Sequence, residues 1–209
     1  MNSISPYFLG ISGGSASGKT YLLKRLLKKY DPGVITLISI DNYYIAREHL
    51  PRDKDGEINY DHPSAVNLEQ LAKDLDRIAA GETVSMPEYT FNNPDVEPKT
   101  ISYAPAPIIL IEGLFVFYHP SVMGRLDLRV FVEAEDHIRL ARRIKRDGKE
   151  RGYPVDEVLD MYLKFVAPMY RKYVEPFKHD CDIIIPNNDH MENAVDVLAH
   201  HLDAVLASR

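Results

Sequence analysis

Near the start of the chain lies the sequence Gly13-Gly14-Ser15-Ala16-Ser17-Gly18-Lys19-Thr20. It fits G-x-x-x-x-G-K-[ST], the pattern of a phosphate-binding loop. An apolar run at residues 7–11 predicts a buried strand before the loop. Apolar residues at helical spacing from Leu22 to Tyr30 predict an amphipathic helix after it. Because a strand, a glycine-rich turn and a helix are the context that the pattern requires, we predict a nucleoside triphosphate site here.

Phosphate binding explains why each of these residue types occurs in the loop. Glycines let successive backbone N–H groups approach phosphate oxygens closely. The N-terminus of the following helix adds partial positive charge where the anion lies. The Lys19 ammonium is expected to reach the β- and γ-phosphates, and the Thr20 hydroxyl to ligate Mg²⁺. We expect all eight residues of the loop to bind the nucleotide.

The composition sets the class of protein. The chain has 209 residues, 45% of them hydrophobic and 27% charged, which suits one globular domain over residues 1–209. With 31 acidic against 25 basic residues the net charge is −6, which argues against a broad nucleic-acid surface. A lone cysteine, Cys181, indicates a reducing compartment. Neither a signal peptide nor a run of 18 apolar residues is found, so we expect a cytoplasmic protein with no membrane contact.

Downstream of the loop, predicted strands alternate with predicted helices. The strands are predicted at residues 34–40, 107–113, 128–132 and 182–185, with helices between them. This alternation predicts an α/β fold of the P-loop NTPase type, with a doubly wound, mostly parallel sheet flanked by helices. We also predict a projecting β-hairpin at about 83–103, with short strands at 83–86, 89–91 and 99–103. A helical lid is predicted at about 139–153, ending in a flexible link at 148–152. A helix over 155–166 is predicted to be interrupted at Pro168, and Val197 is placed on the inner face of the last helix.

Two carboxylates follow predicted strands and should therefore lie at the same sheet edge as the loop. Glu112 occupies a place typical of a Mg²⁺-binding residue, held directly or through water. Asp41 is our candidate for the general base that accepts a proton from an attacking hydroxyl. The alternatives remain that Glu112 is a solvated strand end and that Asp41 starts a turn.

Arginines form the other half of the predicted site. Arg143 and Arg146 share a helix face with i, i+3 spacing, beside Arg142. Guanidinium groups closing over a triphosphate would stabilise charge that spreads over the γ-phosphoryl oxygens. The alternative is an exposed helix whose charges are balanced by Glu135, Asp136 and Asp147.

The order of the motifs resembles a known family. The chain carries, in sequence, Gly-Gly-Ser-Ala-Ser-Gly-Lys-Thr at 13–20, Asp-Asn-Tyr-Tyr at 41–44, Tyr-Asp-His-Pro at 60–63, Ile-Glu-Gly at 111–113, Arg-Arg-Ile-Lys-Arg-Asp at 142–147, Glu-Arg-Gly at 150–152 and Asp-Ile-Ile-Ile-Pro at 182–186. Together these resemble the uridine-cytidine kinases of the phosphoribulokinase/uridine kinase group, from about residue 8 to residue 186.

The resemblance implies transfer of the γ-phosphoryl of ATP (or GTP) to the 5′-hydroxyl of a pyrimidine nucleoside, and typically a homotetramer. It implies catalytic roles for Asp41, Lys19 and Arg143, and a Mg²⁺ environment of Thr20, Glu112 and Asp41. Asp61 and Arg143 match residues that hold the ribose. The resemblance places further residues near the nucleoside, namely Tyr44, Tyr60 and Tyr89, and near the ATP phosphates, namely Arg146 and Arg151.

Three positions depart from the family pattern, and all lie on the acceptor side. Pro94 stands where the family usually has a base-reading histidine, Tyr153 where it has an arginine, and Met161 where it has a ribose-contacting glutamine. Losing such partners loosens or redirects the choice of acceptor. The phosphate-handling residues remain, so these departures concern the choice of acceptor and not phosphoryl transfer.

Two other functions stay open from the sequence. One keeps the chemistry and changes the acceptor to another nucleoside, a sugar phosphate or a pantothenate-like alcohol. The other is a GTP-dependent switch, which would carry an Asn-Lys-x-Asp guanine reader. The sequence contains no such motif.

Overall fold

The computed structural model describes residues 5–90 and 96–209, and five of its strands form one parallel sheet. The strands are β1 (Tyr7–Ser12), β2 (Ile35–Ser39), β3 (Val84–Pro87), β4 (Thr100–Tyr103), β5 (Ile108–Glu112), β6 (Leu128–Glu133) and β7 (Ile183–Pro186). The order in the large sheet is β2-β5-β1-β6-β7, and each neighbouring pair is parallel. The predicted α/β class is confirmed.

Helices cover both faces of this sheet. They are α1 (Lys19–Leu27), α2 (Leu68–Ala79), α3 (Pro120–Met123), α4 (Asp136–Glu150), α5 (Val155–Met161), α6 (Ala167–Tyr173) and α7 (Glu192–Ala207). Alternate residues of β5 point to opposite faces. Ile109 and Ile111 pack in the core that includes α2, and Ile108 and Leu110 in the core that includes α1 and α7. Burial on both faces explains why β5 is apolar throughout. Among the described residues, no helix has the length and apolar character needed to cross a membrane.

The hairpin forms a small sheet of its own. β3 and β4 pair antiparallel, with Val84 opposite Tyr103 and Pro87 opposite Thr100. The predicted middle strand at 89–91 is wrong at 89 and 90, which are irregular, and its last position lies outside the described residues. A backbone hydrogen bond from Glu88 N–H to the Lys99 carbonyl, at 2.7 Å, carries the pairing one step past β3.

The helical half of the chain differs from the prediction in three places. α4 continues to Glu150, so residues 148–150 of the predicted link are helical. Pro168 does not interrupt the helical run. A π-helical segment, Tyr162–Val166, joins α5 to α6, and the proline lies in the first turn of α6, where a missing N–H is tolerated. Val197 is 64% exposed, and the inner face of α7 is formed by Val195, Leu198, Ala199 and Leu202. The short helix α3 was not predicted.

Candidate active site

The phosphate loop begins directly after β1 and ends in the first turn of α1, to which Lys19 and Thr20 belong. Ala16 has φ 60°, and among the described residues it is the one non-glycine residue with positive φ. This left-handed conformation is unfavourable for a residue with a side chain, and such strain is concentrated at binding sites. The Ser17 hydroxyl is buried and has no hydrogen-bond partner among the described residues. Both features suit a loop that is completed by an anion.

The Lys19 side chain folds back over this loop. Its ammonium donates hydrogen bonds to the Gly13 carbonyl at 2.8 Å and to the Gly14 carbonyl at 3.2 Å. Burial lowers the pKa of Lys19, while the charges of Glu112 and Asp41 act to raise it. The predicted lysine and the two predicted carboxylates therefore lie close together at one sheet edge.

Ser39 connects the Glu112 carboxylate to the backbone of Asp41. β2 and β5 pair with Ser39 opposite Glu112, and the Ser39 hydroxyl donates a hydrogen bond of 2.7 Å to the Glu112 carboxylate. The same hydroxyl oxygen accepts a 3.4 Å bond from the Asp41 N–H. Asp41 lies in a 3₁₀ turn, Ile40–Tyr43, so it is both a turn residue and a member of the charged cluster. Sequence reasoning missed Ser39.

Burial raises the pKa of Asp41 to about 6, with a further contribution from the negative charge of Glu112. Lys19 opposes this shift. A carboxyl with a pKa near neutrality is a more effective proton acceptor than an ordinary aspartate. Two neighbouring carboxylates are also suitable ligands for Mg²⁺. Within residues 5–90 and 96–209 no three His, Cys, Asp or Glu side chains are placed to hold a metal ion together. Mg²⁺ usually binds proteins through one or two carboxylates, and substrate phosphates and water complete its ligand set.

We expect Asp41→Asn to stabilise the fold above about pH 6. The pKa of Asp41 rises from 3.8 to about 6 on folding. The folded state therefore disfavours the charged form, which lowers the free energy of unfolding by about 3 kcal/mol once Asp41 is ionised. This destabilisation is absent below the unfolded pKa and complete above the folded one. Chemical denaturation of both proteins should show a gap at about pH 8 that closes near pH 4. A wild-type protein that is the more stable of the two at the higher pH would contradict the burial of this charge.

Three tyrosines form an aromatic cluster beside Asp41. The Tyr44 ring stacks on Tyr89 with centroids 5.1 Å apart and planes at 25°. Tyr60 meets Tyr44 edge-on at 6.2 Å, and the Tyr44 hydroxyl donates to the Tyr60 carbonyl at 3.1 Å. Burial raises the pKa of Tyr44, and the negative charges of Asp41 and Asp61 raise it further. The structure therefore places these predicted pocket residues together and close to both aspartates.

Asn42 ties the hairpin to the turn that carries Asp41. Its side-chain oxygen accepts a hydrogen bond from the Tyr89 N–H at 3.0 Å, and its amide nitrogen donates to the Tyr103 hydroxyl at 2.9 Å. Both partners belong to the hairpin segment, one before and one at the end of β4. Sequence reasoning missed Asn42 as a positioning residue, although it lies inside the Asp-Asn-Tyr-Tyr motif.

We expect Asn42→Ala to raise the KM for the acceptor by about 10-fold, because the two lost hydrogen bonds are each worth about 0.5–1.5 kcal/mol. The KM for the nucleotide should not change, since the phosphate loop keeps its contacts. Steady-state kinetics with each substrate varied in turn measures both. Asn67→Ala is the matched control, because it removes the side-chain cap at the start of α2 and leaves Tyr89 in place. An equal rise in both KM values would contradict a role limited to the acceptor side.

Three arginines, two on α4 and one directly after it, surround one carboxylate. Asp147 is 1% exposed, and it pairs with the Arg146 guanidinium at 2.8 Å, Arg143 at 3.2 Å and Arg151 at 3.6 Å. Arg143 Nη1 also donates to the Ser15 hydroxyl of the phosphate loop at 3.0 Å. The alternative of an exposed, charge-balanced helix is therefore wrong for this face, since its central carboxylate is buried.

Arg142 and Asp61 are charged residues of the site that do not contact Asp147. Arg142 turns to the other side of α4, where its guanidinium donates to the Asn187 carbonyl at 2.8 Å. Burial raises the pKa of Asp61, and the positive charge of Arg143 is the largest effect opposing it. Asp61 and Arg143 thus lie near each other, as predicted for a ribose-binding pair.

The structure describes two of the three positions that depart from the family pattern. Tyr153 is 47% exposed, and its N–H donates to the Asp147 carbonyl at 3.2 Å. Met161 is partly buried at the end of α5. Pro94 lies outside the described residues.

Comparison with known proteins decides the family. The model of the phosphoribulokinase/uridine kinase family matches residues 8–194. The chain belongs to this family. A uridine kinase of Chloroflexus aurantiacus is 36% identical over 204 residues, covering 98% of each chain. A uridine kinase of Macrococcus caseolyticus is 35% identical over 198 residues, covering 95% of this chain and 96% of the relative. A member of this family is a P-loop kinase, a phosphotransferase with a nucleotide as phosphoryl donor.

Solved structures agree with the family fold. A possible uridine kinase from Bacillus stearothermophilus superposes with a TM-score of 0.60 at 18% identity, covering 88% of this chain and 90% of that chain. A putative fructose transport system kinase from Silicibacter sp. TM1040 gives a TM-score of 0.65 at 16% identity, covering 88% and 91%. At these identities the likeness concerns the fold alone.

Proposed function

We propose that the protein transfers the γ-phosphoryl group of ATP to the 5′-hydroxyl of uridine or cytidine, a reaction of pyrimidine salvage, with GTP as an alternative donor. The position of Asp41 is the observation that carries this proposal. Its negative charge acts to raise the pKa of Lys19 on the donor side and the pKa of Tyr44 on the acceptor side. A base between a phosphate loop and an aromatic pocket suits a planar acceptor that carries an alcohol. The curated relatives named uridine kinase support the same choice.

In the proposed mechanism Asp41 accepts the proton of the attacking hydroxyl. The hydroxyl oxygen bonds to the γ-phosphorus as the bond from that phosphorus to the β–γ bridging oxygen breaks, and ADP leaves. Lys19 and the N–H groups of the phosphate loop hold the phosphates of the donor, and Arg143 stabilises charge on the transferring group from the other side. Arg146 and Arg151 contact the donor phosphates beside it. Thr20, Glu112 and Asp41 would hold Mg²⁺, which supplies positive charge to the phosphate oxygens when bound.

On the acceptor side, Tyr44, Tyr60 and Tyr89 are proposed to enclose the base, while Asp61 and Arg143 hold the ribose. Stacking on aromatic rings tolerates different bases, whereas hydrogen bonds to a buried polar group select among them. We further propose that residues 1–209 act as one kinase domain, with the hairpin at about 83–103 as pocket wall and a lid at about 139–153. We also propose a cytoplasmic homo-oligomer, a tetramer as in the family, without nucleic-acid partners.

Steady-state assays with a panel of acceptors test this function. Uridine and cytidine are expected to be phosphorylated, with much lower kcat/KM for purine nucleosides, sugar phosphates and pantothenate. Activity on one of the other alcohols with none on uridine or cytidine would contradict the proposed acceptor and leave the kinase chemistry in place. Tyr153 and Met161 are the described positions that make this outcome worth testing, because they differ from the family's nucleoside-binding residues.

A further inference from the structure

Two buried polar side chains contact the phosphate loop from elements far away in sequence. Arg139 on α4 is 2% exposed, and Asn187 after β7 is 6% exposed. Neither belongs to the phosphate loop or to the arginine face that meets Asp147. Both are fixed by further hydrogen bonds that do not involve the loop.

Arg139 is held from several directions. Its Nε donates to the Ala134 carbonyl at 3.1 Å, and its guanidinium forms an ion pair with Asp136. The guanidinium also lies over the Tyr170 ring, 3.8 Å from its centroid. A buried guanidinium stacked on an aromatic ring and paired with a carboxylate is a rigid support. The remaining nitrogen, Nη1, faces the backbone of Gly14.

The contact with Gly14 is closer than any side chain would permit. A Cβ added at Gly14 would lie 2.1 Å from Arg139 Nη1 and 3.0 Å from Tyr170 Cε2. The backbone angle of Gly14 is not in the left-handed region, so its own conformation does not require glycine. The structure therefore explains Gly14 by the approach of Arg139, in addition to any approach of phosphate.

Asn187 holds the other end of the loop. Its side-chain nitrogen donates to the Ser17 carbonyl at 2.7 Å, and a Cβ added at Gly18 would lie 2.0 Å from that nitrogen. The Asn187 N–H donates to the Glu133 carbonyl at 2.7 Å, and its own carbonyl accepts from Arg142. Arg142 and Arg139 are both on α4, so this helix supports the loop on both sides.

We propose that Arg139 and Asn187 are positioning residues that brace the phosphate loop at Gly14 and at Ser17–Gly18. The brace holds the N–H groups of the loop in the arrangement that binds donor phosphates, without either side chain touching the acceptor. It therefore links the loop to α4, which also carries the arginines of the lid. This inference rests on the nucleotide site of the proposed function and is independent of the acceptor's identity.

A double-mutant cycle at Gly14 and Arg139 tests the brace. Arg139→Gln removes the guanidinium carbon and Nη1, and it keeps a nitrogen able to donate to the Ala134 carbonyl. We expect Gly14→Ala to weaken binding of ATP by about 10- to 100-fold through overpacking, and Arg139→Gln to weaken it by about 3- to 10-fold. The double variant should bind ATP about 10-fold more tightly than the product of the two single losses predicts, because R139Q makes room for the new methyl group. Arg125→Gln, a change at an exposed ion pair with Asp76, is the matched control and should leave ATP binding unchanged.

Titration calorimetry measures these affinities, and losses that simply multiply would overturn the contact on which the proposal rests. The same cycle is also read on urea unfolding without nucleotide, where the loss caused by G14A is expected to be smaller in the R139Q background. If the wild-type protein binds no ATP, the proposed donor is wrong. The unfolding cycle would then still show whether Arg139 contacts Gly14.

Asn187→Asp provides a second test that does not depend on Gly14. The change keeps the shape of the side chain and removes the donor to the Ser17 carbonyl. We expect the KM for ATP to rise by about 10-fold while the KM for the acceptor stays the same. A folded N187D or R139Q protein with wild-type affinity for ATP would overturn the proposal.

Discussion

Asp41→Asn is expected to lower kcat by at least ~10²-fold, the usual scale of general base catalysis, while leaving ATP binding nearly intact. Asparagine keeps the size of the side chain and cannot accept the hydroxyl proton. The phosphate loop, Lys19 and the arginines keep their own contacts, so affinity for the nucleotide should persist. Steady-state kinetics together with calorimetric titration of ATP separates the two effects.

The pH profile of the wild-type enzyme is a second test of Asp41 as the general base. Since the pKa of Asp41 is raised to about 6, kcat/KM should fall as the pH drops through that value, because the protonated base is inactive. Asp196→Asn, on the exposed side of α7 where Asp196 pairs with Lys29, is the matched control and should behave as wild type. Full turnover in Asp41→Asn would remove Asp41 from the role of base.

Asp147→Asn is expected to lower kcat by about 10- to 100-fold, an effect typical of lost positioning. Arg143, Arg146 and Arg151 would lose their common counter-ion and repel one another, and Arg143 would lose part of what holds it against Ser15. The fold should lose about 1–2 kcal/mol, less than for a fully buried ion pair, because the arginines partly reach solvent. The KM for ATP should change little, since the bound triphosphate supplies a replacement anion.

The control for this variant is Asp182→Asn, which breaks the ion pair between Asp182 and Arg129. Asp182 lies directly before β7, at the end of this strand away from the phosphate loop. It is expected to lower stability without lowering kcat. If Asp147→Asn keeps wild-type kcat after its stability has been measured, Asp147 has no part in holding the arginines for catalysis.

The sequence predicts the parts of the fold that follow from local pattern. The phosphate loop and β5, the strand before Glu112, have clear signals, since the loop needs particular residues at fixed spacing and a central parallel strand is apolar on both faces. The strand before Asp41, β2, is predicted as well, although it lies at the edge of the sheet and is mostly half-buried. The π-helical segment before Pro168 has no such signal. Its wider turn accommodates a residue that lacks an N–H, and a sequence pattern reads the same residue as a helix break.

The site shows the same division. The sequence predicts Asp41, Lys19 and the arginines, because the chemistry requires these residue types. Residues that act by holding others, Ser39, Asn42 and Asp147, become evident from their contacts alone. From the sequence, Asp147 enters only the alternative of an exposed, charge-balanced helix, because the sequence gives its sign and spacing and not its burial. A tertiary contact between residues far apart in the chain leaves no periodic trace in a single sequence.

In the proposed reaction Asp41 activates a nucleoside alcohol to attack the γ-phosphoryl group of the donor. Incubation of the protein with γ-³²P-labelled ATP, Mg²⁺ and uridine, followed by chromatographic separation, measures the label in uridine 5′-monophosphate against the label in free phosphate. Nearly all of the label is expected to enter the monophosphate, and Asp41→Asn is expected to slow formation of this product by at least ~10²-fold. Label found in free phosphate alone, at a rate that neither uridine nor cytidine changes, would contradict the proposed transfer to a nucleoside.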